Sequence, residues 1–193
     1  MTRVVLLAGP SGSGKSRLAR QLGATQVRLD DFYRDADHPG LPTVGGLVDW
    51  DDPRTWDADA AAAALRELVA SGRSTLPTYS IPESRRTGRH EVVVGPSGLV
   101  VAEGVFAVEL LPQCRASGPD VAAYYLDRNR TLVALLRLRR DLSQRRKAPL
   151  VLLRRGLDLW RRQPRLRAAA VAAGFTPVTM RQALARLAPP SGA

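Results

Sequence analysis

Val4-Val5-Leu6-Leu7-Ala8 runs into Gly9-Pro10-Ser11-Gly12-Ser13-Gly14-Lys15-Ser16, and Arg17-Leu18-Ala19-Arg20-Gln21-Leu22 follows. The first run is short and wholly apolar and reads as a buried strand; the last has the apolar spacing of a helix's first turns. Strand, glycine-rich turn, then Lys-Ser opening a helix is the context that a phosphate-binding P-loop requires. The glycines let the backbone curl so that successive N–H groups converge on one anion, and the helix start adds partial positive charge there. Gly9, Ser11, Gly12, Ser13 and Gly14 are therefore the candidate nucleotide cradle. Lys15 is placed to reach the outer phosphates of ATP, and the Ser16 hydroxyl to ligate Mg²⁺. A glycine-rich turn that matches by chance is the alternative, and the flanking strand and helix argue against it. The reading predicts a three-layer α/β P-loop NTPase fold: a mostly parallel central sheet with helices on both faces.

At 193 residues the chain is long enough for a full core and is expected to form a single domain over 1–193. No run approaches the ~18 unbroken apolar residues of a membrane span. Met1-Thr2-Arg3 leads straight into the first strand, which leaves no room for a signal peptide, and Cys114 is the single cysteine. A reducing, cytoplasmic setting is the expectation, with no membrane partner. The formal charge of +11 invites a nucleic-acid partner. Two features argue against one. Lys15 and Lys147 are the only lysines among the basic residues, a mark of Arg-rich, Ala-rich composition bias, and the chain lacks the interleaved aromatics of a strand-binding platform. Excess positive charge suits an enzyme handling polyphosphates equally well.

Gln26-Val27-Arg28-Leu29 reads as a strand ending at Asp30-Asp31-Phe32-Tyr33. Ligands of open α/β sheets lie beyond the carboxyl ends of strands. Asp30, one strand over from the P-loop, is thus the candidate general base for a substrate hydroxyl, with a capping role as the alternative. Residues 34–49 carry the composition of a loop or flap, and about 34–56 form the candidate substrate side. Trp50-Asp51-Asp52-Pro53-Arg54-Thr55-Trp56-Asp57 sets carboxylates between two tryptophans. Asp51 is read as a ligand contact, Trp56 as packing and Asp57 as a helix cap.

Ala58 to Ala70 is an amphipathic helix closed by Ser71-Gly72. Leu76 to Pro82 reads as a loop or edge segment, Ser84 to Arg89 as an exposed basic turn, and Glu91–Val94 and Leu99–Ala102 as strands. Glu103 at the end of the last is the candidate acid on the Mg²⁺ side. Val121–Leu126 is a further strand. From Arg130 to Arg146 at least six cations face one acid, Asp141, where a solvated helix would mix both signs. That run is read as a basic lid helix, about 137–150, whose guanidinium groups neutralise phosphate. Helices are expected from Pro149 to Trp160, from Leu166 to Ala173 and from Met180 to Leu187.

Taken together, Leu29-Asp30-Asp31-Phe32-Tyr33, Trp50-Asp51-Asp52-Pro53, Pro77-Thr78-Tyr79, Ala102-Glu103-Gly104-Val105 and Arg137-Leu138-Arg139-Arg140-Asp141-Leu142-Ser143-Gln144-Arg145 resemble the uridine kinase family of P-loop nucleoside kinases. Phosphoribulokinase and pantothenate kinase are more distant relatives, and the likeness spans about Val4 to Lys147. The resemblance implies ATP and Mg²⁺ as cofactors and phosphorylation of a nucleoside 5′-hydroxyl. It implies Asp30 as the base, Tyr33 and Trp50 lining the nucleoside pocket, Asp51 accepting ribose hydroxyls, and Tyr79 packing on the base. It further implies Glu103 near the metal, Arg137 and Lys147 on the substrate side, and Arg140 and Arg145 on the ATP phosphates. Family members that read a pyrimidine carry a His shortly after the Tyr79 position; here Ser80-Ile81-Pro82-Glu83 follows. Other acceptors, such as pantothenate or a sugar, and an NTPase without a small-molecule acceptor are the alternatives. A homo-oligomer is compatible with all of them.

Overall fold

The computed structural model describes residues 2–117, 121–129, 131–133 and 163–188. In chain order the elements are β1 (Arg3–Ala8), α1 (Lys15–Gln21), β2 (Thr25–Arg28), a 3-10 turn (Leu29–Phe32), β3 (Thr43–Val44), β4 (Leu47–Val48), α2 (Ala58–Ser71), β5 (Arg73–Ser80), β6 (Arg85–Val93), β7 (Leu99–Glu103), α3 (Ala107–Ser117), β8 (Val121–Leu126), β9 (Thr176–Val178) and α4 (Met180–Leu187). Residues 163–172 are helical as well.

Five consecutive residues of β1, Val4 to Ala8, are buried because the strand is covered on both faces. It lies at the centre of a parallel sheet of order β2-β7-β1-β8-β9. Alternate side chains enter two cores. Val4, Leu6 and Ala8 pack with α2, α3 and Ala170 on one side; Val5 and Leu7 meet Leu18 and Ala19 of α1 and Ala183 and Leu187 of α4 on the other. Each fully buried leucine contributes about 1.5–3 kcal/mol to that packing. The three-layer α/β architecture is as the sequence predicts.

The strand order corrects one expectation. β2 is not the neighbour of β1, because β7 lies between them. The burial patterns explain the order: Leu99 to Ala102 are all buried and need cover on both faces, whereas Val27 is the one buried residue of β2, which suits an edge. The carboxyl end of β7, with Glu103, therefore separates the P-loop from Asp30.

Further differences concern pairing that local pattern does not reveal. Residues 73–93 form an antiparallel pair, β5 with β6, with a register shift at Thr78/Tyr79: Glu91–Val93 is strand as expected, β5 realises the edge alternative for Leu76–Pro82, and Arg85–Arg89 is strand in place of the expected basic turn. Pro77 is tolerated because β5 has a single partner. β3 and β4 form a small hairpin about Gly45 and Gly46, whose positive φ of 60° and 80° fits a tight primed turn. α3 and β9 have no counterpart in the sequence reading. α3 holds an internal proline, Pro112, and β9 is three residues long.

Helix ends follow the sequence closely. Asp57 Oδ1 accepts from the Ala60 N–H at 3.1 Å and caps α2, which ends at Gly72 in the left-handed conformation. Thr179 and Gln182 form a reciprocal capping box on α4. The lid, the helix from Pro149 to Trp160, and with them Arg137, Arg140, Arg145 and Lys147, lie outside the described residues. Among the described residues no helix is long and apolar enough to cross a membrane.

Candidate active site

The loop between β1 and α1 is wound by Gly9, Gly12 and Gly14, with φ of 145°, 85° and 99°. At Gly14 the need for glycine is twofold. Its φ is left-handed, and a Cβ there would stand 3.0 Å from Met180 Cε and 3.4 Å from Arg128 Nη1. The Ser13 N–H donates to Pro10 O at 3.1 Å, tightening the turn, while Arg128 Nη1 donates to Ser13 O at 3.2 Å from the end of β8. Ser13 is fully buried and its hydroxyl has no partner. Ser11 stands exposed on the loop.

Lys15 Nζ reaches back over the loop, donating to Gly9 O at 3.0 Å and Pro10 O at 3.4 Å, and lies 3.8 Å from Glu103 Oε2. Glu103 Oε1 accepts from the Ser16 hydroxyl at 2.7 Å and from Gln26 Nε2 at 2.8 Å. Ser16 thereby donates its O–H to the carboxylate and keeps its oxygen lone pairs for a cation. Among the described residues no three His, Cys, Asp or Glu side chains gather into a protein-only metal cage. Mg²⁺ requires none, since it keeps waters and takes one or two protein oxygens beside substrate phosphates. Ser16 and Glu103 fit that donor set.

Asp30 follows β2 in the 3-10 turn. Its Oδ1 is buried without a hydrogen-bond partner. Burial, and then the Glu103 charge, push the carboxyl above its ordinary value of 3.8; Lys15, the Val105 N–H and Arg28 pull against that shift and lose. Gly104 makes room for it: a Cβ at that position would lie 2.7 Å from Leu29 Cβ and 3.0 Å from Asp30 Oδ1. Asp31 is occupied differently. It is buried, accepts from the Tyr79 N–H at 3.4 Å and lies 3.8 Å from Arg28 Nε. Burial also raises its carboxyl.

On the other side of Asp30, Tyr33 is the hub of an aromatic cluster. Its ring centroid is 5.6 Å from each of Trp50, Tyr79 and Phe106, edge-on to the first and last. Its hydroxyl donates to Trp50 O at 3.2 Å. Burial, Asp30 and Asp51 hold that phenol far above its usual value, so it stays protonated. Tyr79 is 7 % exposed and its hydroxyl donates to Arg34 O at 3.3 Å. Trp56 is buried, with Nε1 donating to Leu29 O at 2.7 Å, the packing role read from the sequence. Asp52 is bound to Arg54 at 2.8 Å, whereas Asp51 is exposed near Tyr33.

The structure thus brings Lys15, Ser16 and Glu103 into one cluster and Tyr33 and Trp50 into another, with Asp51 beside Tyr33 and Asp30 close enough to act electrostatically on Glu103, Lys15 and Tyr33. Tyr79 joins the set from behind Tyr33 rather than as an open face. Gln26, Arg128, Phe106 and Gly104 were not singled out by the sequence. Gly104 alone carried a signal, as the glycine directly after the strand-end acid.

Known proteins are similar to the chain in sequence. Uridine kinase from Tolumonas auensis is 28 % identical over 154 residues, covering 74 % of this chain and 69 % of that protein. Uridine kinase from Schizosaccharomyces pombe is 29 % identical over 151 residues, covering 74 % of this chain and 32 % of that protein. In sequence the chain is thus similar to uridine kinases, and in fold to a P-loop kinase. These kinase relatives support a phosphotransferase. A putative fructose transport system kinase from Silicibacter has the same fold, with a TM-score of 0.62 and 21 % identity over 92 % of this chain and 88 % of that one. No family model matches the chain.

Proposed function

We propose that the protein transfers the γ-phosphoryl group of ATP to the hydroxyl of a small polyol, with a nucleoside 5′-hydroxyl as the acceptor. The observation that carries the reading is Asp30: a buried carboxylate oxygen without a partner, in the fields of Glu103 and Lys15. An unpartnered buried oxygen raised in pKa is poised to take a proton from an incoming alcohol.

In this reading the P-loop amides and Lys15 hold the triphosphate. Lys15 leaves the carbonyls of Gly9 and Pro10 for the phosphate oxygens. Ser16 and Glu103 would hold Mg²⁺, which would neutralise charge on the phosphate oxygens. Asp30 accepts the alcohol proton as the alcohol oxygen attacks the γ-phosphorus and ADP departs. Tyr33, Trp50 and Asp51 orient the acceptor, and Tyr79 backs Tyr33. Arg137 and Lys147 act on the acceptor side, and Arg140 and Arg145 on the phosphates. Holding alcohol and phosphoryl group in line supplies much of the rate.

The test is phosphoryl transfer from labelled ATP to a panel of nucleosides, sugars and pantothenate. Phosphorylated uridine or cytidine is the expected product. ATP hydrolysis unchanged by every alcohol in the panel would overturn the reading. A sugar without a planar base is the second reading. The burial of Tyr79 and the commitment of its hydroxyl to Arg34 O favour it, because they leave that ring little face for stacking.

A further inference from the structure

Glu103 has to present its charge in one direction, towards Ser16 and Lys15, although Asp30 lies close enough on its other side for the two carboxylates to repel. Ser16 and Lys15 cannot fix that direction alone. Ser16 supplies a single proton, and Lys15 at 3.8 Å is beyond hydrogen-bond range and also bonded to the loop carbonyls. The third contact is Gln26 Nε2 at 2.8 Å from Glu103 Oε1.

The sheet explains why a glutamine can make it. β2 and β7 run parallel, with Gln26 opposite Val101 and Arg28 opposite Glu103. Gln26, Val101 and Glu103 consequently share one face of the sheet, since side chains alternate along a strand. Two residues of strand rise set Gln26 and Glu103 about 6.6 Å apart along the sheet, a stagger that the two long side chains bridge by reaching towards each other; an asparagine is one methylene shorter. Both flanking strand residues of β2, Thr25 and Val27, point to the opposite face.

We propose that Gln26 is a positioning residue for Glu103 and, through it, for the Mg²⁺-bound phosphates of the donor nucleotide; this rests on the kinase reading above. The glutamine amide is neutral, so it fixes the carboxylate without cancelling the charge that the cation needs. Without it, Glu103 closes on the Lys15 ammonium, and Ser16 loses the acceptor that turns its lone pairs outward. Partners one shell removed from a metal typically change metal affinity or activity by about 10–100-fold when removed.

The experiment is calorimetric titration with ATP in excess Mg²⁺ and again in EDTA, on the full chain and on Gln26→Leu, Gln26→Glu and Gln26→Asn, alongside melting temperatures. The leucine variant keeps the volume and loses the donor; the glutamate variant keeps the shape and turns the donor into an acceptor. All three are expected to lose about 10–100-fold in affinity for Mg²⁺-loaded ATP while metal-free ATP binds as in the wild type. Variants that keep the wild-type ratio of the two affinities within twofold would overturn the inference. So would equal weakening of both forms with a fall in melting temperature, the signature of a purely structural role. Wild-type protein that gains no ATP affinity from Mg²⁺ would sink the kinase reading itself, and this inference with it.

Discussion

Replacing Asp30 by asparagine keeps the shape of the side chain and removes the charge that the proposed mechanism uses. A positioned general base contributes roughly 10²–10⁴ in rate, which at 1.36 kcal/mol per tenfold is about 2.7–5.4 kcal/mol of barrier. Turnover in Asp30→Asn should fall by that factor, while ATP affinity, carried by the loop and Lys15, should hold. Stability should move the other way. The folded state raises the Asp30 carboxyl above 3.8 because burial and Glu103 outweigh Lys15, the Val105 N–H and Arg28. A carboxyl raised on folding favours the native state below its unfolded value, and that support is lost as pH rises through the folded value. Above the folded value the cost of the buried charge is present, so there the neutral variant should melt higher. The same shift places the acid limb of wild-type kcat/KM above the ordinary aspartate range, and the limb should vanish in the variant. Coupled ADP release and thermal melting across pH measure both effects. Turnover within tenfold of wild type would remove Asp30 as the base; a lower melting temperature would refute the electrostatic account.

Gly104→Ala drives a methyl group to within 2.7 Å of Leu29 Cβ, forcing the Asp30 turn to shift. Turnover should drop by about 100-fold with ATP affinity retained, since a displacement near 1 Å is enough for such a loss. Leu7→Ala should cost about 2–5 kcal/mol in denaturant unfolding, as it empties a fully buried site in the α1–α4 core. Thr179→Ala removes one half of the capping box and should cost ~1 kcal/mol by the same measurement.

Much of the fold is written locally. The apolar run at Val4–Ala8 and the glycines and Lys-Ser after it predict strand, loop and helix. Asp57 and Gly72 mark helix ends where the structure has them. What the sequence hides is adjacency. Nothing in Gln26-Val27-Arg28 says that β7 rather than β1 lies beside it, so the bond from Gln26 to Glu103 was invisible, and so was the interposition of Glu103 between Lys15 and Asp30. The same limit applies to residues 73–93, where Pro77 and a run of arginines mask a hairpin held together by cross-strand pairing. Arg128 was unreadable for a related reason: its partner, Ser13 O, is 115 positions away. At the site, residue types in order were enough to nominate Lys15, Ser16, Asp30 and Glu103. The burial of Tyr79 behind Tyr33 depends on three rings from distant segments and has no local signature.

The odd–even division of β1 between two cores ties catalysis to a ruler. Adding or deleting one residue of β1 ahead of Leu6 would exchange the leucines Leu6 and Leu7 between opposite faces, and it would also carry the glycine turn along the strand by about 3.3 Å. Length changes in this strand therefore cannot be absorbed by repacking alone, whereas the exposed Gly45-Gly46 tip can accept them without moving the Gly9–Gly14 turn.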